Sequence, residues 1–500
     1  MKEYINFKLN TAILMALLLL ANIAFGIDTA KLKIIETAGC NLTIVEETAT
    51  NTYALKLTSD VHNWYAGVFE GLDTKNPTIF TLNMTGTGGD VSKWEGLYPV
   101  YTYGKYLNYD TYTYYTKNND GHWVSSDPFA KDKLAGNGKT PIQTVIPELY
   151  AGEFLSEEGK YWSVWKDLTD TKVNVGSNTF TITNQFNSPN ASIAMKYPYS
   201  YDYGVAYIEK LKQANLPGVT VHNIGKSEKD HDLFIIEVND PTAAAEELKN
   251  RRVVLIYANE DGNEPDGSWV AQGALNFLIS GSDEAKKVLK EVTFLIIPIF
   301  DVDGSLDSTY AELTDQFTYD DFGYIRPEII AYTSFIIEWI AVNERNLDII
   351  LNLHNVECNE APNVMCPFRN IVTYAHVNNL NNFILSKLPK NIKSSTGTWI
   401  ENFSDKRFMD WCQNIWGTLS IPYELNSRYP ENRLNLNDLH DLGRDFVLVL
   451  YDYFRSDEYE RVMPVIEKKK HEQLKKREQF LQDHQEIDQL HIYFTVGAGF

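Results

Sequence analysis

The chain has 500 residues and a formal net charge of −22 at pH 7. That balance excludes non-specific nucleic-acid binding, which needs basic patches to displace counterions from phosphate, and its plain consequence is solubility. With 44% hydrophobic and 13% aromatic residues the chain is not disordered, and its length predicts two or three domains with ordinary cores.

In chain order, a short charged start (Met1-Lys2-Glu3, then Lys8) leads into an apolar run from Thr11 to Phe25 that closes on Ala24-Phe25-Gly26. This pattern predicts a secretory signal peptide over 1–26 and hence a secreted, periplasmic or lumenal protein. The run is shorter than the roughly 20 residues needed to span a bilayer, and no later stretch qualifies, so no membrane span is expected after cleavage. Cys40, Cys358, Cys366 and Cys412 are too few for a disulfide framework, although Cys358 and Cys366 could close a small loop.

Residues 27–190 are rich in Tyr, Thr and Asn. Alternating runs such as Thr78 to Thr85 and Thr179 to Thr183, broken by Gly and Asn turns, predict a β-sandwich domain. His62 and His122 stand alone there among aromatics and form no catalytic set. From 191 to 456 strands alternate with helices. Asp232 to Val238, Val253 to Ala258, Phe294 to Phe300, Leu347 to Leu353 and Leu419 to Leu425 read as strands. Tyr201 to Gln213, the face of Val270, Ala274, Phe277 and Leu278, Pro327 to Arg345, Lys406 to Gly417 and Asp438 to Arg455 read as helices. The fold class is α/β: a mixed sheet sandwiched by helices, preceded by an all-β sandwich. Residues 457–500 form a charged helical tail.

The polar residues with chemical potential gather where these apolar strands end. Val253 to Ala258 runs into a loop holding Asp261, Glu264 and Asp266, and such loops at the carboxyl ends of parallel strands are where open α/β sheets hold ligands. His354 and Glu424 sit at two further strand ends. Asp261, Glu264 and His354 together could hold a divalent ion with one position open to water, and Glu424 could act as general base on that water. The plainer reading is that Asp261 and Glu264 cap the helix beginning near Gly267.

The order of these elements resembles the zinc metallocarboxypeptidases, in particular their cytosolic-carboxypeptidase-like branch. The resemblance rests on Tyr197-Pro198-Tyr199-Ser200-Tyr201, on Gly267-Ser268-Trp269-Val270-Ala271-Gln272-Gly273, on Ile297-Pro298-Ile299-Phe300-Asp301-Val302-Asp303-Gly304, and on the strands ending in His354 and Glu424. It implies a zinc-dependent hydrolase of peptide or protein substrates. The family's His-x-x-Glu ligand pair then falls on Asp261 and Glu264, its third ligand on His354, and its general base on Glu424.

Two departures follow. Asp261 replaces a neutral nitrogen by an anion, which weakens the Lewis acid and makes manganese, magnesium or calcium plausible beside zinc. The Asn-Arg pair that in the family grips a terminal carboxylate reads Tyr319-Asp320 here, with no Arg or Lys from Ser305 to Tyr324, so no substrate-binding residue is assigned. Arg326, Arg369 and Arg428 are the substitutes to consider, each ordinarily a surface or ion-paired arginine. The expectation is an exported metallocarboxypeptidase-like hydrolase. Its rival is a catalytically silent secreted protein, without metal, that binds peptides or glycans.

Overall fold

A computed structural model describes residues 32–38, 41–58, 66–83, 91–104, 113–117, 123–129, 161–262, 264–307, 326–356, 358–368, 375–399 and 407–483. The expected signal peptide, Cys40, His62, His122, Tyr319-Asp320 and Arg369 lie outside the described residues. Among them, no helix is long and apolar enough to cross a membrane.

The β-rich N-terminal region holds two five-stranded sheets and a smaller three-stranded one. The alternation read from sequence is what packs the larger two. In strand Thr78–Asn83 the residues Thr78, Phe80 and Leu82 point inward, and in Thr179–Asn184 Phe180 and Ile182 lie opposite Leu82 and Phe80. The Phe80 ring then meets Phe69 of the other sheet at 4.8 Å, closing the sandwich through an aromatic contact.

An eight-stranded mixed sheet organises the rest. Its order is Val219–Lys226, Asp232–Val238, Val292–Ile297, Arg252–Ala258, Ile349–Asn355, Leu419–Leu425, Val364–Phe368 and Ser394–Trp399. The third to sixth of these run parallel, and their near-continuous apolar runs are buried on both faces. Adjacent residues at one strand end show why. Tyr257 points to an aromatic cluster with Phe300 and Phe408, at 4.9 and 5.5 Å. Ala258 points the other way, against Gly267 of helix Pro265–Leu278.

That helix crosses helix Leu436–Phe454 at very close range. A Cβ on Gly443 would lie 2.1 Å from the Val270 carbonyl oxygen, so only glycine fits the crossing. The two regions are tied by the buried guanidinium of Arg428, which donates to Asp167 at 2.7 Å. The start of the 27-residue helix Asp457–Asp483 is anchored in the core through buried Tyr459, Val462 and Ile466.

Cys358, Cys366 and Cys412 are buried, and Cys358 and Cys366 are not joined, so the small loop they could have closed is not a disulfide. Three strands escaped the sequence reading. Val219–Lys226 is a half-exposed edge, Val364–Phe368 is short and contains Pro367, and Ser394–Trp399 is largely polar.

Candidate metal centre

Four parallel strands deliver their carboxyl ends to one edge of the sheet, and register sets what meets there. Leu353 lies opposite Ala258, and His354 lies opposite Glu424, so the loop after Ala258, the imidazole and the second carboxylate are neighbours by construction. The loop turns sharply because Asn259 adopts a left-handed conformation (φ 61°), a geometry that asparagine tolerates better than most residues. Gly262 is required for a different reason. A Cβ there would sit 2.0 Å from the Gly304 carbonyl carbon, so the loop is pressed against the turn after the neighbouring strand.

Glu264 occupies the N-cap position of helix Pro265–Leu278, with Pro265 in the first turn, yet its side chain makes no capping bond. The capping role considered for Glu264 therefore does not describe it. Its carboxylate turns instead to His354, with Oε2 2.9 Å from Nδ1, and Asp261 Oδ2 lies 3.3 Å from the same nitrogen. Donor atoms of Asp261, Glu264 and His354 all fall within 4.8 Å of one another, and the three residues are almost wholly enclosed.

Asp266, the third acid of the loop, belongs elsewhere. It accepts from the Ser427 backbone N–H at 2.8 Å and from its hydroxyl at 2.9 Å, pinning the helix start to the turn after Leu425.

The electrostatics are lopsided. Burial pushes the Glu264 carboxyl well above the usual carboxylate range; the attraction of His354 opposes this and the charge of Asp261 adds to it. Burial also carries Glu424 up to about 7, against His354 and with Asp261, and Glu424 Oε2 has no hydrogen-bond partner among the described residues. Burial alone would lower the imidazole of His354, but Glu264, Asp261 and Glu260 outweigh it and hold it well above its ordinary value. Several enclosed carboxyls thus share one imidazole.

Such a set fits a divalent ion. Donors about 2.1 Å from one tetrahedral ion stand about 3.4 Å apart, close to the Asp261–His354 separation of 3.3 Å. Two carboxylates and one imidazole leave a coordination position open.

Residues 204–320 match the family model described as zinc carboxypeptidase. The chain is 25% identical over 136 residues to cytosolic carboxypeptidase 2 of Homo sapiens, covering 26% of this chain and 15% of that protein. To cytosolic carboxypeptidase 2 of Danio rerio it is 24% identical over 134 residues, covering 26% and 19%. The chain therefore spans less than a fifth of the length of these curated relatives. Among solved structures, the metallo-carboxypeptidase of Burkholderia cenocepacia aligns over 85% of this chain and 100% of its own at a TM-score of 0.59 and 15% identity. A metallo-carboxypeptidase of Pseudomonas aeruginosa, in complex with (2-guanidinoethylmercapto)succinic acid, aligns over 86% and 99% with a TM-score of 0.59 and 14% identity. Residues 204–320 are thus similar to a zinc carboxypeptidase domain. The mixed-sheet fold and the resemblance expected from the sequence hold, although the family match ends before His354 and Glu424 and only the fold brings those two to the loop.

Of the arginines considered as substitutes for the missing clamp, the two among the described residues are committed elsewhere. Arg326 is buried and pairs with Glu328 at 2.9 Å. Arg428, also buried, pairs with Asp167, donates to the Leu434 carbonyl and lies over the Tyr197 ring at 4.9 Å. The sequence reading overlooked Glu260 and Asn352. Asn352 lies two residues before His354, on the same face of the strand, and that period of two was the available signal.

Proposed function

We propose that this metallocarboxypeptidase-like protein is a metal-dependent hydrolase of peptide or peptide-like amide bonds, with Asp261, Glu264 and His354 as ligands and Glu424 as general base. The observation that carries the reading is the convergence of three donor atoms from two different strand ends on one enclosed point, with Glu424 beside them and one of its oxygens unpaired.

A divalent ion held there supplies Lewis acidity and lowers the pKa of bound water. Asp261 and Glu264 supply negative charge from one rigid turn, and His354 supplies the nitrogen. Glu424, raised toward neutrality, takes the proton of the attacking water and can return it to the leaving amine. The second anionic ligand favours a harder ion, so manganese competes with zinc here more effectively than at a site with two imidazoles. Export, expected from the apolar run Thr11 to Phe25, is part of the same proposal.

The test joins metal titration to a peptide-release assay. Stoichiometric binding of zinc or manganese, with release of C-terminal residues that Glu424→Ala abolishes, supports the hydrolase. Stoichiometric binding is absent, or release is unchanged in Glu424→Ala, if the hydrolase reading is wrong. The silent binding protein is favoured by the replacement at Asp261, and Asp261→His distinguishes the two: a gain of release from an inactive parent shows an otherwise intact site.

A further inference from the structure

Glu260 is fully enclosed, and Asn352 and His354 sit on the adjacent strand. Its Oε2 accepts from the Asn352 amide at 2.6 Å and from the Tyr257 hydroxyl at 3.2 Å, while Oε1 has no hydrogen-bond partner among the described residues. Among the described residues, an ion pair reaches it from His354, whose Nε2 lies 3.4 Å away. A buried carboxylate is costly and needs a cationic or hydrogen-bonding counterpart.

The two nitrogens of His354 face different company. Nδ1 faces Glu264 and Asp261, and Nε2 faces Glu260 and the Asn352 amide, 2.7 Å away. A ligating imidazole is neutral, so with Nδ1 turned to an ion the ring proton must sit on Nε2 and needs an acceptor. Two are within reach. One is Glu260 Oε2. The other is Asn352 Oδ1, which has no hydrogen-bond partner among the described residues and would face Nε2 if the amide rotated by a half turn. Of the two, only Glu260 bears the charge that raises the basicity of the ring.

We infer that Glu260, working with Asn352, is a positioning residue that holds the Nε2–H of His354 and so presents Nδ1 to a divalent cation. Glu260 touches no substrate in this scheme. It acts through His354 by fixing its tautomer and ring orientation, a part that neither the loop acids Asp261 and Glu264 nor Glu424 can play, since those lie on the Nδ1 side or on the neighbouring strand. The inference rests on the metal-binding reading above.

The experiment measures zinc and manganese affinity of the full chain by competition with a chromophoric chelator, together with the exchangeable imidazole N–H signal of the cobalt-loaded protein. Glu260→Gln is expected to weaken both metals by about 10- to 100-fold and to hasten N–H exchange, with cooperative unfolding of the metal-free protein retained. Asn352→Asp placed on Glu260→Gln returns a carboxylate to Nε2 and is expected to restore affinity and slow exchange, which a merely structural role would not do. Wild-type affinity in Glu260→Gln, alongside lost binding in His354→Ala, overturns the inference and leaves the metal site standing. Failure of Asn352→Asp to rescue a folded Glu260→Gln protein also overturns it. Wild-type affinity in His354→Ala defeats the metal reading itself, and the inference with it.

Discussion

Asp303 and Glu264 are both enclosed acids just beyond the carboxyl ends of neighbouring parallel strands, yet their surroundings treat them in opposite ways. Asp303 accepts from the Ser227 hydroxyl at 2.7 Å, from the Lys229 backbone N–H at 2.9 Å and from His231 at 2.8 Å. Burial opposes its ionisation, but these donors prevail and hold its carboxyl below the usual range. Glu264 has one imidazole, which it shares with Asp261, and its carboxyl is held well above that range. Similar burial thus gives a finished structural ion cluster at one acid and an unbalanced one at the other. The imbalance, not the burial, marks the site that can take a cation.

The comparison can be broken most severely at His354. His354→Ala is expected to abolish stoichiometric zinc and manganese binding in calorimetric titration, whereas Asp303→Asn leaves the stoichiometry at one. Next in size is Glu424→Gln, which retains metal but slows peptide release by about 10²- to 10⁴-fold in steady-state assays.

Stability sharpens the contrast by its sign. Asp303→Asn removes a charge that its donors are arranged to satisfy, and should cost about 3 kcal/mol in urea unfolding. Glu264→Gln removes a carboxyl whose ionisation burial opposes, and should stabilise the metal-free protein by roughly 1 kcal/mol near neutral pH. Effects of the same sign would dissolve the distinction between the two acids.

A further expected effect is a pH dependence that belongs to neither cluster. His440 packs between Tyr114 and Trp269, with ring separations of 5.3 and 5.9 Å, and burial lowers its imidazole to about 3. The folded chain keeps it neutral while the unfolded chain takes up a proton below about 6.5. Its contribution is therefore whole above that pH and is lost progressively as pH falls from about 6.5 toward 3. His440→Gln should flatten that part of the curve of unfolding free energy against pH.

Much of this was readable in the residues. The apolar runs Val253 to Ala258 and Leu419 to Leu425 announce buried strands, because only a strand covered on both faces tolerates no polar alternation. Asp261, Glu264, His354 and Glu424 then follow as polar residues at strand ends. What could not be read is which loop acid faces which partner. Asp266 is as acidic and as close in sequence as Glu264, yet it is consumed by Ser427, which lies 161 residues away. Arg428 looked available for substrate and is spent on Asp167, Leu434 and Tyr197. Glu260 carries no mark distinguishing it from any turn acid, since its meaning comes from Asn352 and His354 on another strand.

The sequence by itself determined the elements and their polarity: hydrophobic period and turn chemistry are local, so strands, helices and the loops between them follow from near neighbours. The tertiary structure alone decided the pairing of charges. Whether a carboxylate is satisfied or left waiting for a cation depends on donors that parallel register brings in from distant segments, and on how completely water is removed from between them.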